Sequence, residues 1–375
     1  MLTNNTLGLI FANMHDSNLG DLTSHRSMAS LPVVGRYRMI DFALSSFVNA
    51  GITSVGVIAK SNYQSLLDHL ESGRSWDMSR KNSGLIIFPP HSYYDSSAVY
   101  HGRISALNNI RQYLEERSEN YVLMTDCDFI CNADYRSIIN HHVSSGADVT
   151  VVCSSDCNVP IGENDTSSVK YDENGDVTYF SYGPLQQGCV SGTDSFIFNR
   201  ELLLQILDSA AESGITHLER DVMPRLINKY SVKAFCIDGY VRRINSIRDY
   251  FDVSMELVNR DTAGSLFPAS RPVYTKLRDE APVRYGSNCK VKNSSIADGC
   301  IIEGEVENCM LFRSVYVKKG ARLKNCIIMQ DTVIGENAEL DHVIADKIVT
   351  IGDNVSLHGT FSDPVLITKK SVITV

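Results

Sequence analysis

Three groups of residues in this chain could do chemistry. The apolar run Tyr121-Val122-Leu123-Met124-Thr125 ends in Asp126, and Asp128 follows closely. Carboxylates at the C-terminal edge of a buried strand are where an α/β protein places a Mg²⁺ ligand. Asp128 could equally cap the helix that follows, a common use of aspartate. The second group is the loop Asn13-Met14-His15-Asp16-Ser17-Asn18, which follows a first apolar run. Its location suits a phosphate cradle, but it has no glycine to bring backbone N–H groups close to an anion, and it adds a carboxylate. Third, Cys127 with Cys131, Cys153 with Cys157, and the histidines His342 and His358 are candidates for metal ligation or general-base work. The cysteine pairs lack neighbouring histidines and read as buried thiols, and His342 and His358 read as exposed residues of a repeat.

The elements that must hold these groups form two kinds of pattern. Leu7 to Ala12 reads as a buried strand, Met39 to Ala50 as an amphipathic helix closed by Gly51, and Ser54 to Ala59 as a second strand. This is a βαβ unit, and its ligand site lies where the first strand gives way to its loop. Further on, Tyr63 to Gly73 reads as a helix and Leu85 to Phe88 as a strand stopped by Pro89-Pro90. Ala147 to Ser154 and Ser195 to Phe198 read as strands, Val169 to Tyr182 as a hairpin turning at Asn174-Gly175, and Glu201 to Ser209 as a helix. Arg260 to Pro282, rich in proline and charge, reads as a linker.

Beyond it the period changes. Val317-Lys318-Lys319-Gly320-Ala321, Ile334-Gly335-Glu336-Asn337-Ala338 and Ile351-Gly352-Asp353-Asn354-Val355 begin 17 residues apart (334 − 317 and 351 − 334). That is three hexads per coil, with one aliphatic residue per hexad pointing inward. Asn293, Asn308, Asn325 and Asp341 mark a second recurring corner. The expected architecture is an α/β, Rossmann-like domain over residues 1–257, a linker over 258–282, and a left-handed parallel β-helix of hexapeptide repeats over 283–375.

Composition narrows the function. With 375 residues and 43% apolar content the chain can bury two cores, and its net charge of −9 argues against a nucleic-acid partner. No apolar run reaches the length of a membrane span and no signal-type N-terminus is visible, so a cytoplasmic, membrane-free protein with reduced cysteines is expected.

The first fifty residues resemble the start of the ADP-glucose pyrophosphorylase (glucose-1-phosphate adenylyltransferase) family, A-G-G-x-G-x-R-L through K-P-A-V-P-F-G-G to R-Y-R-x-I-D-F-A-L-S-N. Ala12, Leu19, Leu22, Thr23, Pro32, Gly35-Arg36-Tyr37-Arg38 and Ile40-Asp41-Phe42-Ala43-Leu44-Ser45 match. The family's three glycines fall on Asn13, Met14 and Asp16, its arginine on Asn18 and its K-P on Met28-Ala29. Ser72 to Asp77 and Phe88-Pro89-Pro90 continue the likeness. Tyr100 to Ala106 resembles Y-x-G-T-A-D-A, which helps hold base and sugar. Gly102 is kept, while Arg103 and Ser105 replace threonine and aspartate.

The same resemblance aligns Asp128 with a metal-binding aspartate, Tyr182-Gly183-Pro184 with the sugar-phosphate E-K-P, and Gly192-Thr193-Asp194 with the sugar-binding S-M-G. His217 to Pro224 aligns with F-G-K-D-x-I-P and keeps Asp221. Gly239 to Ile247 resembles G-Y-W-x-D-V-G-T-I, with Arg243 where the family has its second metal carboxylate.

Scaffold residues match and nucleotide-contacting ones do not. The resemblance therefore implies a nucleotidyltransferase (GT-A-like) fold with no intact catalytic set: Asp128 is a remnant, and Ala12, Gly102 and Asp221 are nucleotide or sugar-phosphate remnants. Arg36 falls at a basic position associated with effector anions, or else, with Arg38, forms a structural salt bridge. The implied role is that of the family's GlgD-type regulatory subunits. These work with a catalytic partner, in a heterotetramer or by self-association, and no cofactor is needed. An active enzyme with a rebuilt site, using Mg²⁺, nucleotide and sugar phosphate, is the alternative. A hexapeptide-repeat acyltransferase with a histidine base is a remote third.

Overall fold

The computed structural model describes residues 5–80, 83–90, 102–162 and 165–375. Tyr100 and His101, part of the motif ahead of Gly102, lie outside them. Among the described residues the first domain is built on nine strands: β1 (Thr6–Phe11), β2 (Ser54–Ile58), β3 (Gly84–Phe88), β4 (Tyr121–Asp126), β5 (Val149–Ser154), β6 (Asp165–Tyr171), β7 (Val177–Pro184), β8 (Val190–Asn199) and β9 (Val232–Cys236). The order along the sheet is β7-β6-β8-β4-β1-β2-β3, with β5 between β8 and β9. β1 pairs parallel with β2 and β4, whereas β8 runs antiparallel to β4, β5 and β6, so the sheet is mixed. The Asn174-Gly175 signal gives the β6–β7 hairpin, with Gly175 at φ 78°.

Strand β1 is wholly buried, as a strand covered on both faces must be. Helix α1 (Met39–Ala50) turns Ile40, Leu44 and Phe47 into the core. Each such side chain contributes on the order of 1.5–3 kcal/mol through burial. The Arg38 N–H donates to Asp41 Oδ2 at 2.9 Å to close the first turn, and Gly51, at φ 88°, ends the helix. Gly8 lets α1 approach the sheet, because a Cβ there would meet the Phe47 ring at 2.8 Å. The helix expected over 63–73 is shorter, α2 (Gln64–Leu70).

The segment expected as linker begins with a helix, Arg260–Leu266, capped by Asn259 and anchored by buried Leu266. The chain then runs along α1 and α2: Asn49 Nδ2 donates to Pro272 O (3.0 Å), Tyr274 N–H to Ser45 Oγ (2.8 Å) and Lys276 Nζ to Asp68 O (2.7 Å).

Three parallel sheets follow, of six, five and five strands among the described residues, each strand pairing with its counterpart one coil later. This is the left-handed β-helix of hexapeptide repeats. The 17-residue period is literal: Val317 pairs with Ile334 and Ile334 with Ile351, all pointing inward. Asn293, Asn308 and Asn325 occupy corners at φ 42°, 52° and 50°. Their side chains form a ladder, Asn293 donating to Asn308 (3.0 Å) and Asn308 to Asn325 (2.6 Å). In the next coil the corner residue is His342 (φ 53°), not Asp341. Asp341 is the last residue of its strand, registers with Lys324, and accepts from Asn325 at 3.1 Å.

One face of the β-helix, carrying Met310, Phe312, Ile327, Met329 and Ile344, joins the same apolar cluster as Phe42, Tyr250 and Phe251 of the first domain. Across this interface Arg26 forms a buried ion pair in which its Nη2 reaches both carboxylate oxygens of Asp346, at 2.7 and 2.8 Å.

Candidate functional site

The residues at the C-terminal end of β1 and β4 converge on a cleft of about 280 Å³ lined in part by His15, Lys60, Arg103, Asp126, Tyr182 and Asp194. Asp126 ends β4, in register with Phe11 of β1. Asp128 lies just beyond, where a short ladder pairs Phe129 with Arg243 and the Ile244 N–H donates to the Asp128 carbonyl at 2.8 Å. That ladder places the Arg243 side chain. Its backbone is held on both sides by Asn158 (2.6 and 2.9 Å), its Nη1 donates to the Asp165 carbonyl, and its guanidinium lies over the Phe129 ring.

The Nε of Arg243 is 2.9 Å from Asp128 Oδ2, and its Nη2 is 3.6 Å from Asp194 Oδ2. All three side chains are buried. Asp128 does not cap the following helix; Asp134 does, accepting from the Ser137 N–H.

A second arginine plugs the neighbouring space. Gly102 caps the helix Arg103–Asn109, and no larger residue fits there, because a Cβ would overlap the Thr216 carbonyl. The Arg103 guanidinium is sandwiched between Phe11 and Phe196 (5.2 and 5.5 Å to the ring centres). It pairs with Asp126 and Glu219, each at 2.7 Å. This is where the resemblance implies the base and sugar.

His15 completes the cluster, its Nε2 lying 3.3 Å from Asp126, 3.8 Å from Asp128 and 3.9 Å from Asp194. Burial pulls His15 down, but Asp128 and Asp126 outweigh it and push it up to about 9. Burial raises Asp128, partly opposed by Arg243 and His15. Burial likewise raises Glu219. For Asp126, Arg103 and His15 outweigh burial and hold it below its ordinary value. Two arginines and a charged histidine thus balance four carboxylates to within one charge, a balance a buried cluster needs.

The loop that would cradle a phosphate is closed by its own side chains. Asp16 accepts the Met28 N–H and the Asn13 amide, each at 2.7 Å, and burial pushes its carboxyl up to about 6. Asn13 also accepts the Lys60 N–H (2.8 Å) and donates to the Ser61 carbonyl (2.7 Å). The backbone of Ala12 is spent on Ile58 and Ala29. Asn18, at the family's arginine position, pairs across the mouth with Asn245 at 2.5 Å. A carboxylate therefore occupies the place of an anion.

Mg²⁺ does not fit these residues. It requires about six oxygen ligands at roughly 2.1 Å, whereas Asp128 Oδ2 is engaged by a guanidinium and the nearest further ligand is an imidazole.

Asp221 lies apart from the cluster, paired with Arg220 at 3.1 Å and lining a groove with Arg225 and Lys229. Its neighbours Glu219 and Arg220 are the residues of that turn that line the cleft. Arg36 is exposed and stacks on Tyr37, and Arg38 donates to the Ser65 carbonyl (2.6 Å) and hydroxyl (3.0 Å) rather than to a carboxylate. Together with Lys276, Arg278, Arg313 and Lys347 they line a small cavity, about 30 Å³, between the two domains. Burial and the nearby Arg38 and Arg26 pull Lys347 down to about 6. Lys276 is paired with Glu71, but Arg36, Arg38, Arg278 and Arg313 bring like charges together, and an anion would relieve them.

His342 lies 2.8 Å from Asp341 and its ring packs near Phe251, while exposed His358 meets Ser356. All ten cysteines are free.

Sequence reasoning missed His15, Glu219, the pairing of Arg103, and Asp194 as a charge. Asp194 left one trace: it is a carboxylate within a strand, β8, that is buried along almost all of its length. There the ladder slips between Gly192 and Ser195, and Asp194 takes φ 51°.

Comparison with known proteins agrees with this architecture. A nucleotidyl transferase family model matches residues 8–260, and one for the GlmU-like C-terminal hexapeptide domain matches 281–359. The glycogen biosynthesis protein GlgD of Bacillus subtilis (strain 168) is 34% identical over 325 residues, spanning 86% of this chain and 84% of that one. GlgD of Geobacillus stearothermophilus is 35% identical over 320 residues (85% and 83%). The glucose-1-phosphate adenylyltransferase of Thermotoga neapolitana is 32% identical over 326 residues (85% and 76%).

Proposed function

The chain belongs to the ADP-glucose pyrophosphorylase family, and we propose that it serves there as a non-catalytic regulatory subunit. On this reading it pairs with a catalytic glucose-1-phosphate adenylyltransferase subunit in the cytoplasm. It modulates the joining of ATP and glucose 1-phosphate to ADP-glucose and pyrophosphate for glycogen biosynthesis. The observation that carries the reading is the Arg243 guanidinium seated on Asp128 and facing Asp194. A cation fixed by the chain stands where the family's chemistry calls for a second metal carboxylate. Arg103 between Phe11 and Phe196, and Asp16 on the Met28 N–H, support it at the base pocket and the phosphate loop.

The regulatory part rests on the basic recess around Arg36. It joins residues of both domains, so an anion held there would fix their relative placement. A phosphorylated metabolite is the class of effector this charge selects.

The test is pyrophosphate release from ATP, Mg²⁺ and glucose 1-phosphate by three samples: this chain, a catalytic subunit from the same cell, and the two mixed. No turnover by the chain alone, with a changed rate or anion response in the co-purifying mixture, is expected. Robust turnover by the chain alone would overturn the reading in favour of an active enzyme with a rebuilt site.

A further inference from the structure

We propose that Arg243 is a tethered cation masking a divalent-metal site formed by His15, Asp128 and Asp194. The inference rests on the non-catalytic reading, because both give Arg243 the same position. It adds a ligand set that differs from the pair of carboxylates the family resemblance supplies.

The His15 ring nitrogen and one carboxylate oxygen each of Asp128 and Asp194 lie within 4.8 Å of one another. Around a metal with bonds of roughly 2.1 Å, adjacent ligand atoms sit about 3 Å apart. His15 Nε2 is at present 3.8 Å from Asp128 and 3.9 Å from Asp194, so these two pairs need to contract by about 1 Å, and the two carboxylates, within 4.8 Å of each other, by up to about 2 Å. One imidazole and two carboxylates suit Mn²⁺ or Zn²⁺ better than Mg²⁺.

A second observation points to a missing partner. Asp128 Oδ1 and Asp194 Oδ2 are buried and accept no hydrogen bond, although both residues are only 1% exposed. Arg243 satisfies them incompletely: its Nη2 also lacks a hydrogen-bond partner and stands 3.6 Å from Asp194. The guanidinium supplies charge to both carboxylates but saturates neither. Its backbone anchorage on Asn158 and its contact with the Asp165 carbonyl keep it in place whatever the ligand. Charge balance explains the mask: without Arg243, two buried carboxylates face each other with His15 between them, an arrangement that calls for a cation.

The experiment is Mn²⁺ titration of the full chain, followed by electron paramagnetic resonance of free Mn²⁺ and by thermal denaturation with and without the metal. Wild type is expected to show no saturable binding and no thermal shift. Arg243→Ala is expected to bind one Mn²⁺ per chain saturably, at least roughly tenfold more tightly than any residual association with wild type, and to be stabilised by it. Adding Asp194→Asn to that variant is expected to weaken binding roughly 10–100-fold. Arg243→Gln, whose shorter side chain ends at the level of the arginine Nε and keeps a neutral polar group beside Asp128, is the second variant if Arg243→Ala folds poorly.

Equal binding by wild type and variant, no binding by the folded variants, or indifference to Asp194→Asn would overturn the proposal. Failure of both variants to fold with Mn²⁺ present would also overturn it, because the metal is expected to replace the lost charge. None of these readouts depends on turnover, so they remain informative whether or not the chain proves active.

Discussion

The Arg26–Asp346 pair makes a quantitative claim about what joins the two domains. Arg26 donates two hydrogen bonds, at 2.7 and 2.8 Å, and both side chains are almost inaccessible to water. Asp346 also accepts the Lys347 N–H at 2.7 Å. In Arg26→Met the apolar volume survives beside Met329, but Asp346 is left as an unpaired buried charge, which costs about 3–5 kcal/mol. At roughly 2.1 cal/mol/K per residue the 375-residue chain unfolds with an entropy of about 0.8 kcal/mol/K, so the melting temperature should fall by about 4–6 °C. The double variant Arg26→Met/Asp346→Asn removes both charges, while its amide oxygen still accepts the Lys347 N–H. It should recover most of the loss, leaving a deficit of about 1–2 kcal/mol. Calorimetry on wild type, both single variants and the double variant closes the cycle. Single-variant losses below about 1 kcal/mol that simply add in the double would refute the claim that the interface depends on a desolvated pair.

Lys347, pulled down to about 6, is largely neutral in the free protein at pH 7. Between that value and its ordinary one near 10.5 the unfolded chain binds more protons than the folded one. This group therefore makes stability rise with pH through that window, and Lys347→Met should flatten the slope. For the same reason, sulfate binding in the Arg36 recess should take up a proton and weaken as pH rises above 6, which calorimetry in buffers of different ionisation enthalpy reads directly. A binding heat independent of the buffer would count against anion contact with Lys347. Gly335→Ala would drive a methyl into the Gly352 carbonyl of the next coil, where no side chain can give way. It should cost about 3 kcal/mol or more in urea unfolding, against about 1–2 kcal/mol for Gly8→Ala, whose obstacle is the movable Phe47 ring. Asn308→Ala loses the ladder at a left-handed corner and should destabilise by about 1–2 kcal/mol. Asn308→Gly, free of the backbone cost, should lose less in the same unfolding assay.

The β-helix was legible because its signal is periodic. Val317, Ile334 and Ile351 repeat at the spacing of one coil, and each coil repeats the same packing problem. The one slip, Asp341 for His342, came from reading a polar residue type as the corner when backbone register decides it. The βαβ unit was legible through the buried run of β1 and the Gly51 cap. The site was less so. Alignment to the family's pattern singles out Asp128 and Arg243, but nothing local says that residues 115 positions apart share a hydrogen bond. Glu219, rather than Asp221, reaches the cleft because of the wide helical turn Leu218–Val222, a backbone detail with no sequence marker. The short ladder that aims Arg243 is likewise only two residues long on each strand.

The charge balance in the cleft also bears on how this sequence can change. Arg243→Asp would add a fifth carboxylate to Asp126, Asp128, Asp194 and Glu219, with only Arg103 and His15 left to oppose them. Arg103 cannot be exchanged alone either, because Asp126 and Glu219 would be stranded, and Asp16 would still hold the Met28 N–H in a loop that lacks its glycines. Each single exchange is disfavoured until the others are already in place, so a stepwise change of this cleft passes through proteins less stable than either end. The two arginines and the carboxylates they face thus behave as one unit, open to exchange as a set rather than residue by residue.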